Sequence, residues 1–399
     1  PTPEFMAIKD SVMAQAELFS PIAWPMIVPP NDWQPDGTGG GYILNEISDT
    51  YQMVRRGNRQ CIQGETPVAF LNHIQQTSFT INKFIVDVAK TLQQRGIAVG
   101  KFVPVIEMPL PPKPVDIADN KDSRKDYRRR AAEVMNTNAQ AFKRSCRTRM
   151  TMNAVEVFEK YEKFWIPWSF DYRGRCYAIP SFLSPQGDDF SKSLLLFHEQ
   201  ALMTTEAENY LAFEVSTTYG NSKLSMTDRV IWTLENHQLI TNVATDPIGN
   251  LSTWEGADEP WRFLAACEAY YHSVILCDRN YTNLPVAIDA TASGLQVLSG
   301  LCRCESTAKL VNVIPSDKPQ DAYQVIADTC IDSIPEHIKP VWNRKKTKKT
   351  VMTIPYNAKP FSNRSYIKEA LKEDGIEVDK EELTQIVKAV RAAMNEKFE

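Results

Sequence analysis

A single carboxylate follows an apolar run in the second half of the chain. Residues 284–288 are apolar with β-branched members, a pattern typical of a buried strand, and the run ends at Asp289. A carboxylate on a rigid strand, beside an exposed backbone carbonyl, suits a hard divalent cation and leaves room for a triphosphate. Small residues follow, and Gly294 would leave space for a ribose 2′-hydroxyl. A lone buried aspartate is also common as a capping residue, so both interpretations of Asp289 stay open.

A cationic segment follows at residues 344–349. Arg344 and Lys348 are four residues apart, on one face of a predicted helix, so both can reach one polyanion. Pro355 cannot continue that helix, which leaves Tyr356 just past its end and able to stack on a base or a ribose. A solvated basic helix is the alternative interpretation. The other cations of the segment are expected to be solvated: Lys345, Lys346 and Lys349.

A third feature lies near the middle of the chain, where Arg173 and Arg175 flank Gly174 and Lys192 follows. Two arginines around a glycine can place bidentate donors on successive phosphates, where a side chain on the glycine would obstruct the approach. The alternative is a hairpin-like turn with surface arginines. Spacing alone does not decide between the two.

The composition narrows the possible classes of function. The 399 residues carry a formal net charge of −4, which argues against a general nucleic-acid coat protein. A local binding channel remains compatible, because the cations cluster at 124–130, 143–149 and 344–349 and the regional field matters. The eight cysteines include no CxxC pair, and the five histidines show no metal-ligand spacing. The sequence has no apolar run long enough to span a membrane.

Hydrophobic spacing predicts the elements that position these residues. Helices are expected at 70–95, 124–164, 206–218, 261–276 and 323–334, with a strand at 176–182. Residues 315–317 are expected to form the loop and cap before the helix at 323. A final amphipathic helix has apolar residues that we expect this chain to leave uncovered: Leu383, Ile386, Val387, Val390 and Met394.

Taken together, these motifs resemble the phage-type single-subunit DNA-dependent RNA polymerases, the family that also includes the mitochondrial enzyme. Residues 171–175, with Tyr177 and residues 185–187, resemble the DxxGR motif of that family. Residues 289–296 resemble its first catalytic aspartate motif, and residues 344–356 resemble its nucleotide-binding fingers helix. The similarity runs over nearly the whole chain, with three motifs in the family order.

The resemblance implies a catalytic site for nucleotidyl transfer. Asp289 would bind two catalytic Mg²⁺ ions, together with the backbone carbonyl of Ala290. Lys348 and Tyr356 would complete the catalytic residues of this chain, and Tyr356 would close over the incoming nucleotide.

It also implies contacts to the substrates. Arg344, Lys348 and Lys223 would hold the triphosphate, and Tyr323 would lie near the nucleotide 2′-hydroxyl. The template–RNA hybrid would be bound by a separate set of cations: Arg173, Arg175 and Lys192.

The implied fold is α+β and mostly helical, a right-hand polymerase fold with a thumb, part of the palm and part of the fingers. Residues 1–60 would be a short lead-in without a promoter-binding domain, and residues 61–165 a thumb-like helical region. Residues 166–310 would form the palm core with inserted helices, and residues 311–399 would begin the fingers.

The sequence departs from the family pattern in ways that imply a partner. Asn357 stands where the family usually has glycine after the tyrosine. A second catalytic carboxylate and the His-Asp-Ser motif were not found, so we expect a second polypeptide to supply them and to share the two Mg²⁺ ions. The chain most resembles the larger subunit of the split, heterodimeric polymerase of a podovirus. An accessory factor would open promoters in the cytoplasm of the bacterial host, and no membrane would be involved.

Three alternatives remain open at this stage. The chain could be a template-dependent DNA polymerase, although Gly294 and Tyr323 favour ribonucleotides. It could be a non-catalytic template-binding subunit with a polymerase-like shape. It could also be a fragment of a longer single-chain polymerase, which the reading frame beyond Glu399 would decide.

Overall fold

The chain divides into two compact units. The computed structural model describes residues 23–43, 51–55, 64–316 and 318–398. Unit 1 extends to Ser222 and includes Arg229–Val286, whereas unit 2 comprises Lys223–Asp228 and the residues from Ala287 onward. The described residues are mostly helical with a few short strands, which confirms the predicted α+β class. None of their helices has both the length and the apolar character needed to cross a membrane.

The described residues of unit 1 form helices of very different length and three small sheets. Its helices are α1 Glu65–Gln75, α2 Lys83–Arg95, α3 Lys121–Phe158, α4 Asp189–Ser193, α5 Thr205–Ser216, α6 Met226–Glu235, α7 His237–Thr245, α8 Leu251–Trp254 and α9 Pro260–Tyr270. Its strands are β1 Ser78–Ile81, β2 Phe164–Trp165, β3 Trp168–Phe170, β4 Cys176–Ala178, β5 Leu195–Phe197, β6 Ala201–Leu202 and β7 Tyr281–Thr282. The antiparallel sheets have the orders β2-β1-β5, β3-β4 and β6-β7. Single π-helical turns extend α5 and α9, at Thr217–Asn221 and Tyr271–Ile275.

The core of unit 1 centres on the N-terminal end of α9. Trp261 is fully buried, and its ring lies 4.7 Å from that of Phe190 and 5.1 Å from that of Phe102, centroid to centroid. The carboxylate of Asp189 accepts hydrogen bonds from the backbone N–H groups of Trp261, at 2.8 Å, and Arg262, at 3.0 Å. The aromatic packing, together with the cap that Asp189 of α4 supplies to α9, fixes α9 against α4.

Two predicted helices in unit 1 have different bounds in the structure. The stretch at 70–95 is not one helix, because β1 separates α1 from α2 and pairs with β2 and β5. The helix predicted at 124–164 ends at Phe158, because residues 164–165 form β2. In both places sheet pairing between distant segments overrides a helical spacing of apolar residues. The strand predicted at 176–182 is confirmed only as β4.

The described residues of unit 2 form helices joined by loops, and unit 2 also contains the first three residues of α6. The helices are α10 Ser293–Cys302, α11 Glu305–Leu310, α12 Ala322–Thr329, α13 Arg344–Thr353, α14 Pro360–Lys372 and α15 Lys380–Lys397. Short 3₁₀ turns lie at Ile331–Ser333, Lys339–Val341 and Ile354–Tyr356.

The apolar face of α15 forms much of the core of unit 2. Asp379 begins this helix with a capping box, in which Glu382 returns a bond to the backbone N–H of Asp379. The prediction that its apolar face is uncovered was wrong, because α12, α13 and α14 pack against it. Each such side chain contributes up to about 1.5–3 kcal/mol by leaving water. The buried residues are Leu383, Ile386, Val387, Val390 and Met394.

The buried strand predicted at 284–288 is absent. These residues are not paired with any described strand, and the side chain of Ile288 is 79% exposed. A strand depends on a neighbour to accept and donate its backbone hydrogen bonds. The apolar run is therefore unpaired and partly exposed in this structure.

Candidate nucleotide-binding site

The loop after Asp289 is held in place by hydrogen bonds within unit 2. The Tyr323 hydroxyl, on α12, donates to the carbonyl of Thr291 at 3.2 Å. The hydroxyl of Thr291 donates to the carbonyl of Val311 at 3.1 Å, and the Gln296 side chain donates to the same carbonyl at 2.8 Å. These bonds fix Thr291, two residues beyond Asp289, and with it the approach to α10. Burial raises the pKa of Tyr323, so its phenol remains a donor at neutral pH.

Asp289 and Ala290 are both exposed. Within the described ranges, the Asp289 carboxylate makes no hydrogen bond or ion pair, and no group of three or more His, Cys, Asp or Glu is placed to hold a metal ion. A carboxylate and a backbone carbonyl are oxygen ligands of the kind that Mg²⁺ prefers, usually with one or two carboxylates plus substrate phosphates. The two groups fit part of such a ligand set.

Tyr356 lies directly against Gly294. A Cβ atom added to Gly294 would lie 3.0 Å from the Tyr356 Oη and 3.1 Å from two of its ring carbons. The space that the sequence assigns to a 2′-hydroxyl is thus filled by the phenol of Tyr356 in this structure. The tyrosine is nevertheless 61% exposed, because it sits in the 3₁₀ turn just beyond α13. Glycine at 294 is what allows the aromatic ring to approach α10 so closely.

Asn357 adopts a left-handed backbone conformation, which the glycine usual at this position in the family would also allow. Its φ is +65°, in the left-handed region that asparagine tolerates better than most residues. Its side-chain oxygen accepts a bond from Lys359 Nζ at 2.7 Å. The turn that presents Tyr356 is therefore compatible with this departure from the family pattern.

Arg344 and Lys223 converge on one carboxylate. The Nε of Arg344 lies 2.6 Å from Oδ2 of Asp321, and Lys223 Nζ lies 3.7 Å from the same oxygen. The Arg344 guanidinium also lies 5.7 Å from the ring centroid of Tyr323, within cation–π range. Burial, and then repulsion from Arg344 and Lys348, lowers the pKa of Lys223, while Asp321 opposes the shift. We call Lys223, Arg344 and Lys348 the cation cluster.

Asp321 was missed by the sequence analysis, which placed the cap of this helix at residues 315–317. Asp317 lies outside the described residues. Asp321 is the N-cap of α12, and its Oδ1 accepts from the backbone N–H groups of Tyr323, at 3.2 Å, and Gln324, at 3.3 Å. An aspartate immediately before an apolar helical run is the signal that could have identified it.

The other cations of α13 are neutralised by acidic residues of α14 and the turn after it. Lys346 is buried, pairs with Asp374 and donates to the carbonyl of Ala370 at 2.9 Å, so the prediction of a solvated Lys346 was wrong. Lys346 is buried because its position on α13 turns its side chain toward α14, where these partners lie. Two surface ion pairs lie beside it: Lys345–Glu373 at 3.1 Å and Lys349–Glu369 at 2.8 Å.

The arginine motif of unit 1 forms the tip of the β3–β4 hairpin. The Asp171 carboxylate accepts from the backbone N–H groups of Arg173, at 2.8 Å, and Arg175, at 3.0 Å, and also from Arg173 Nε at 2.8 Å. Gly174 has a φ of +76°, and an added Cβ would meet no atom of a described residue within 4 Å. Backbone conformation, not obstruction, therefore explains the glycine. Arg175 is exposed at the tip.

The segment after this hairpin makes hydrogen bonds to β4, its second strand. The side chain of Gln186 accepts from the backbone N–H of Ala178 and donates to the carbonyl of Cys176, both at 2.9 Å. Lys192 lies half-buried in α4. Gln186 thus has a structural explanation in unit 1, whereas the role of Lys192 stays a prediction.

Comparison with known proteins agrees with these motifs. A family model described as DNA-dependent RNA polymerase matches residues 202–399, the part that contains Asp289, the cation cluster and Tyr356. The DNA-directed RNA polymerase of Enterobacteria phage K11 is 30% identical over 331 residues, 80% of this chain and 35% of that protein. T7 RNA polymerase of Escherichia phage T7 is 28% identical over 397 residues, 88% of this chain and 44% of that protein. The chain belongs to the phage-type RNA polymerase family.

The family extends beyond phages. DNA-directed RNA polymerase 2B, chloroplastic/mitochondrial, of Nicotiana tabacum is 27% identical over 409 residues, which cover 94% of this chain and 39% of that protein. This phage-type polymerase chain spans about 35–44% of the length of these three curated relatives.

Proposed function

We propose that this chain is a subunit of a viral DNA-directed RNA polymerase, which adds ribonucleotides from nucleoside triphosphates to an RNA 3′ end on a DNA template in a bacterial host. One observation carries the proposal, which is that the loop after Asp289, the cation cluster and Tyr356 lie close together in unit 2. The Tyr323 hydroxyl of α12 bonds to the loop after Asp289, and Arg344 lies at the N-cap of α12. Lys348 acts electrostatically on Lys223, and Tyr356 lies against the start of α10. Family membership gives this cluster its chemical interpretation.

The cation cluster would bind the triphosphate. Lys223, Arg344 and Lys348 provide three positive charges, with Arg344 as a fork and the lysines as point charges. The RNA 3′-oxygen would form a bond to the α-phosphorus as the bond to the β-phosphate oxygen breaks, releasing pyrophosphate. Fixed cations favour this step because they stabilise the charge that moves onto the leaving phosphates. Tyr356, exposed beside Gly294, would pack on the base or ribose.

Asp289 and the carbonyl of Ala290 would hold Mg²⁺, which when bound supplies Lewis-acid stabilisation of the reacting phosphates. One carboxylate is a small share of the ligands that a pair of ions requires. We propose that a second carboxylate comes from residues outside this chain, on a second polypeptide that carries the His-Asp-Ser motif.

Exposed apolar side chains support a further polypeptide beside Asp289. The exposed residues are Ile288 on the unpaired run, at 79%, and Val297, Leu298 and Leu301 on α10, at 62%, 41% and 76%. A group of large exposed apolar residues is typical of a surface that another chain covers. The proposed partner would complete the palm and the fingers of a right-hand fold at this place.

The hairpin tip of unit 1 would bind the template–RNA hybrid. Arg175 is exposed there, and Arg173 is oriented by Asp171 and by the Tyr177 hydroxyl at 3.1 Å. Guanidinium groups held on a rigid turn suit backbone phosphates, which position a nucleic acid without reading its sequence. Lys192 would add a third cation.

The decisive experiment is Asp289→Ala in the chain purified with its partner, assayed for Mg²⁺-dependent ribonucleotide incorporation on a primed DNA template. We expect incorporation to fall by about a thousandfold, because an electrostatic contact to the reacting groups is lost. Asp332→Ala, an exposed aspartate of unit 2, is the matched control and should keep wild-type activity.

Three outcomes would count against the proposal. Full activity of Asp289→Ala would remove the assigned metal ligand. Metal-independent binding of a template–primer, with no incorporation beside the partner, would favour a non-catalytic binding subunit. A reading frame that continues beyond Glu399 into the missing motifs would replace the partner with a longer single chain.

A further inference from the structure

Asp321 contacts both the helix that carries Tyr323 and two members of the cation cluster. Its Oδ1 caps α12, the helix that carries Tyr323, by accepting two backbone N–H bonds. Its Oδ2 lies 2.6 Å from the Nε of Arg344 and 3.7 Å from the Nζ of Lys223. One carboxylate therefore fixes the positions of two cations relative to a helix end.

The contact uses only one side of the Arg344 guanidinium. Among the described residues, the ion pair of this side chain involves Nε, and its backbone N–H donates separately to the Gln324 side chain at 3.1 Å. The two terminal nitrogens of Arg344 donate no hydrogen bond to a described residue, so they remain available as a pair, which is the geometry that suits a phosphate. The tyrosine ring beside the guanidinium limits its remaining motion.

We propose that Asp321 is a positioning residue that holds Arg344 and Lys223 in the arrangement required to bind the triphosphate of the incoming nucleotide. The inference rests on the proposed function, because it assigns the cation cluster to that substrate. Asp321 does not touch the reacting atoms and acts through the two cations.

The electrostatics of the cluster give a physical reason for such a residue. Arg344 and Lys348 repel Lys223, and Asp321 offsets this repulsion. Three like charges without a fixed counter-charge would separate, since each long side chain has other rotamers available in water. A carboxylate held by a helix end keeps them together before the substrate arrives, so less ordering remains for binding to cost.

Two substitutions separate the two functions of the carboxylate. Asp321→Asn keeps a good N-cap and removes the charge, because asparagine caps helices about as well as aspartate. Asp321→Glu keeps the charge and weakens the cap. A positioning role requires the charge and predicts that Asp321→Asn is the more impaired variant. A purely structural role requires the cap and predicts that Asp321→Glu is the more impaired variant.

The first measurement is the KM and kcat for each nucleoside triphosphate in the assembled polymerase. We expect Asp321→Asn to raise the KM about tenfold with kcat changed less than threefold, and Asp321→Glu to stay closer to wild type. The second measurement is binding of inorganic triphosphate to this chain by calorimetry at low salt. Asp321→Asn should weaken that binding by a similar factor.

A control variant removes a comparable ion pair from the same helix. Glu369→Gln breaks the 2.8 Å contact with Lys349 on another face of α13, and both measurements should remain at wild-type values. Thermal unfolding of all variants, recorded in parallel, separates loss of binding from loss of folded protein.

Several results would overturn the inference. Wild-type KM in Asp321→Asn, with Asp321→Glu impaired, would leave only the capping role. Tighter triphosphate binding by Asp321→Asn would show that the carboxylate competes with the substrate. Failure of the wild-type chain to bind triphosphate would remove the site itself. Triphosphate binding with the expected variant order, but no nucleotide incorporation by the assembled protein, would count against the proposed function alone.

Discussion

The cations of α13 lie on different faces of one helix and have different surroundings. Lys346 is buried against α14, and Lys345 and Lys349 pair with glutamates at the surface. Arg344 faces the N-cap of α12, and Lys348 is exposed without an ion pair to any described residue. The five side chains are nearly alike in the sequence, yet only two of them, Arg344 and Lys348, have no ion pair with the described acidic residues of α14 and the turn after it.

The difference shows that the neighbouring element, not the charge itself, decides what a cation does. Glu369, Glu373 and Asp374 neutralise the faces of α13 that turn toward α14. The remaining face meets a single carboxylate, Asp321, which is shared with Lys223. A local excess of positive charge is thus confined to one side of the helix, where a triphosphate would add the missing negative charge.

The largest effect on stability is expected at Lys346, the buried cation of α13. Lys346→Met keeps most of the stem volume but removes the partner of Asp374 and the donor to the Ala370 carbonyl. We expect the free energy of unfolding to fall by about 1–3 kcal/mol, the cost of leaving polar groups unsatisfied. Urea denaturation followed by circular dichroism measures it, and a stability equal to wild type would contradict the burial of this pair.

The pH dependence of that difference follows from Asp374. Its bond to Lys346 lowers the pKa of Asp374 below the ordinary value of 3.8, so the stabilisation is present above that pH and is lost as the pH falls through the folded-state pKa. The gap between wild type and Lys346→Met should therefore shrink on acidification below about pH 3.8. A gap that widens there would mean that another group carries the effect.

An intermediate effect, on function alone, is expected at Lys348. Lys348→Ala removes an exposed cation of the cluster, and we expect the nucleotide KM of the assembled polymerase to rise about tenfold through loss of a charge-assisted contact. Stability should change by less than about 0.5 kcal/mol, as for other exposed substitutions. Steady-state kinetics and a thermal melt test both statements, and an unchanged KM would place Lys348 with the solvated lysines.

The smallest effect on nucleotide KM and on stability is expected at Lys349. Lys349→Ala removes a surface ion pair with Glu369, and exposed pairs of this kind contribute little to stability. Both the nucleotide KM and the melting temperature should stay at wild-type values. A clear rise in KM would mean that the two faces of α13 are not functionally distinct, and would remove the comparison on which these predictions rest.

Much of the local structure could be predicted from the sequence. The helix at 344–353, its end before Pro355 and the position of Tyr356 follow from spacing and from the missing N–H of proline, and the structure confirms them. The helices at 206–218 and 261–276 are confirmed as α5 and α9, each with its π-helical extension. These features depend on interactions within a few residues, which is why a linear pattern contains them.

Most of the errors share one cause, which is contact between distant segments. The run at 284–288 has strand composition but no described strand to pair with. Sheet pairing broke the helix predicted at 70–95, and packing by three helices covered the apolar face of α15. The contact of Tyr356 with Gly294 joins residues about 60 positions apart and has no signature in the spacing of either motif.

The sequence by itself determined the chemical groups of the site and their order, because an aspartate motif, a cationic helix and a terminal aromatic are each written in consecutive residues. The tertiary structure alone decided which cation is buried, which is paired and which is left for a substrate. The reason is that the partners Asp321, Asp374 and Glu369 come from other segments of the chain. A charge acquires its energy from what lies within a few ångströms of it, and chain folding sets that distance.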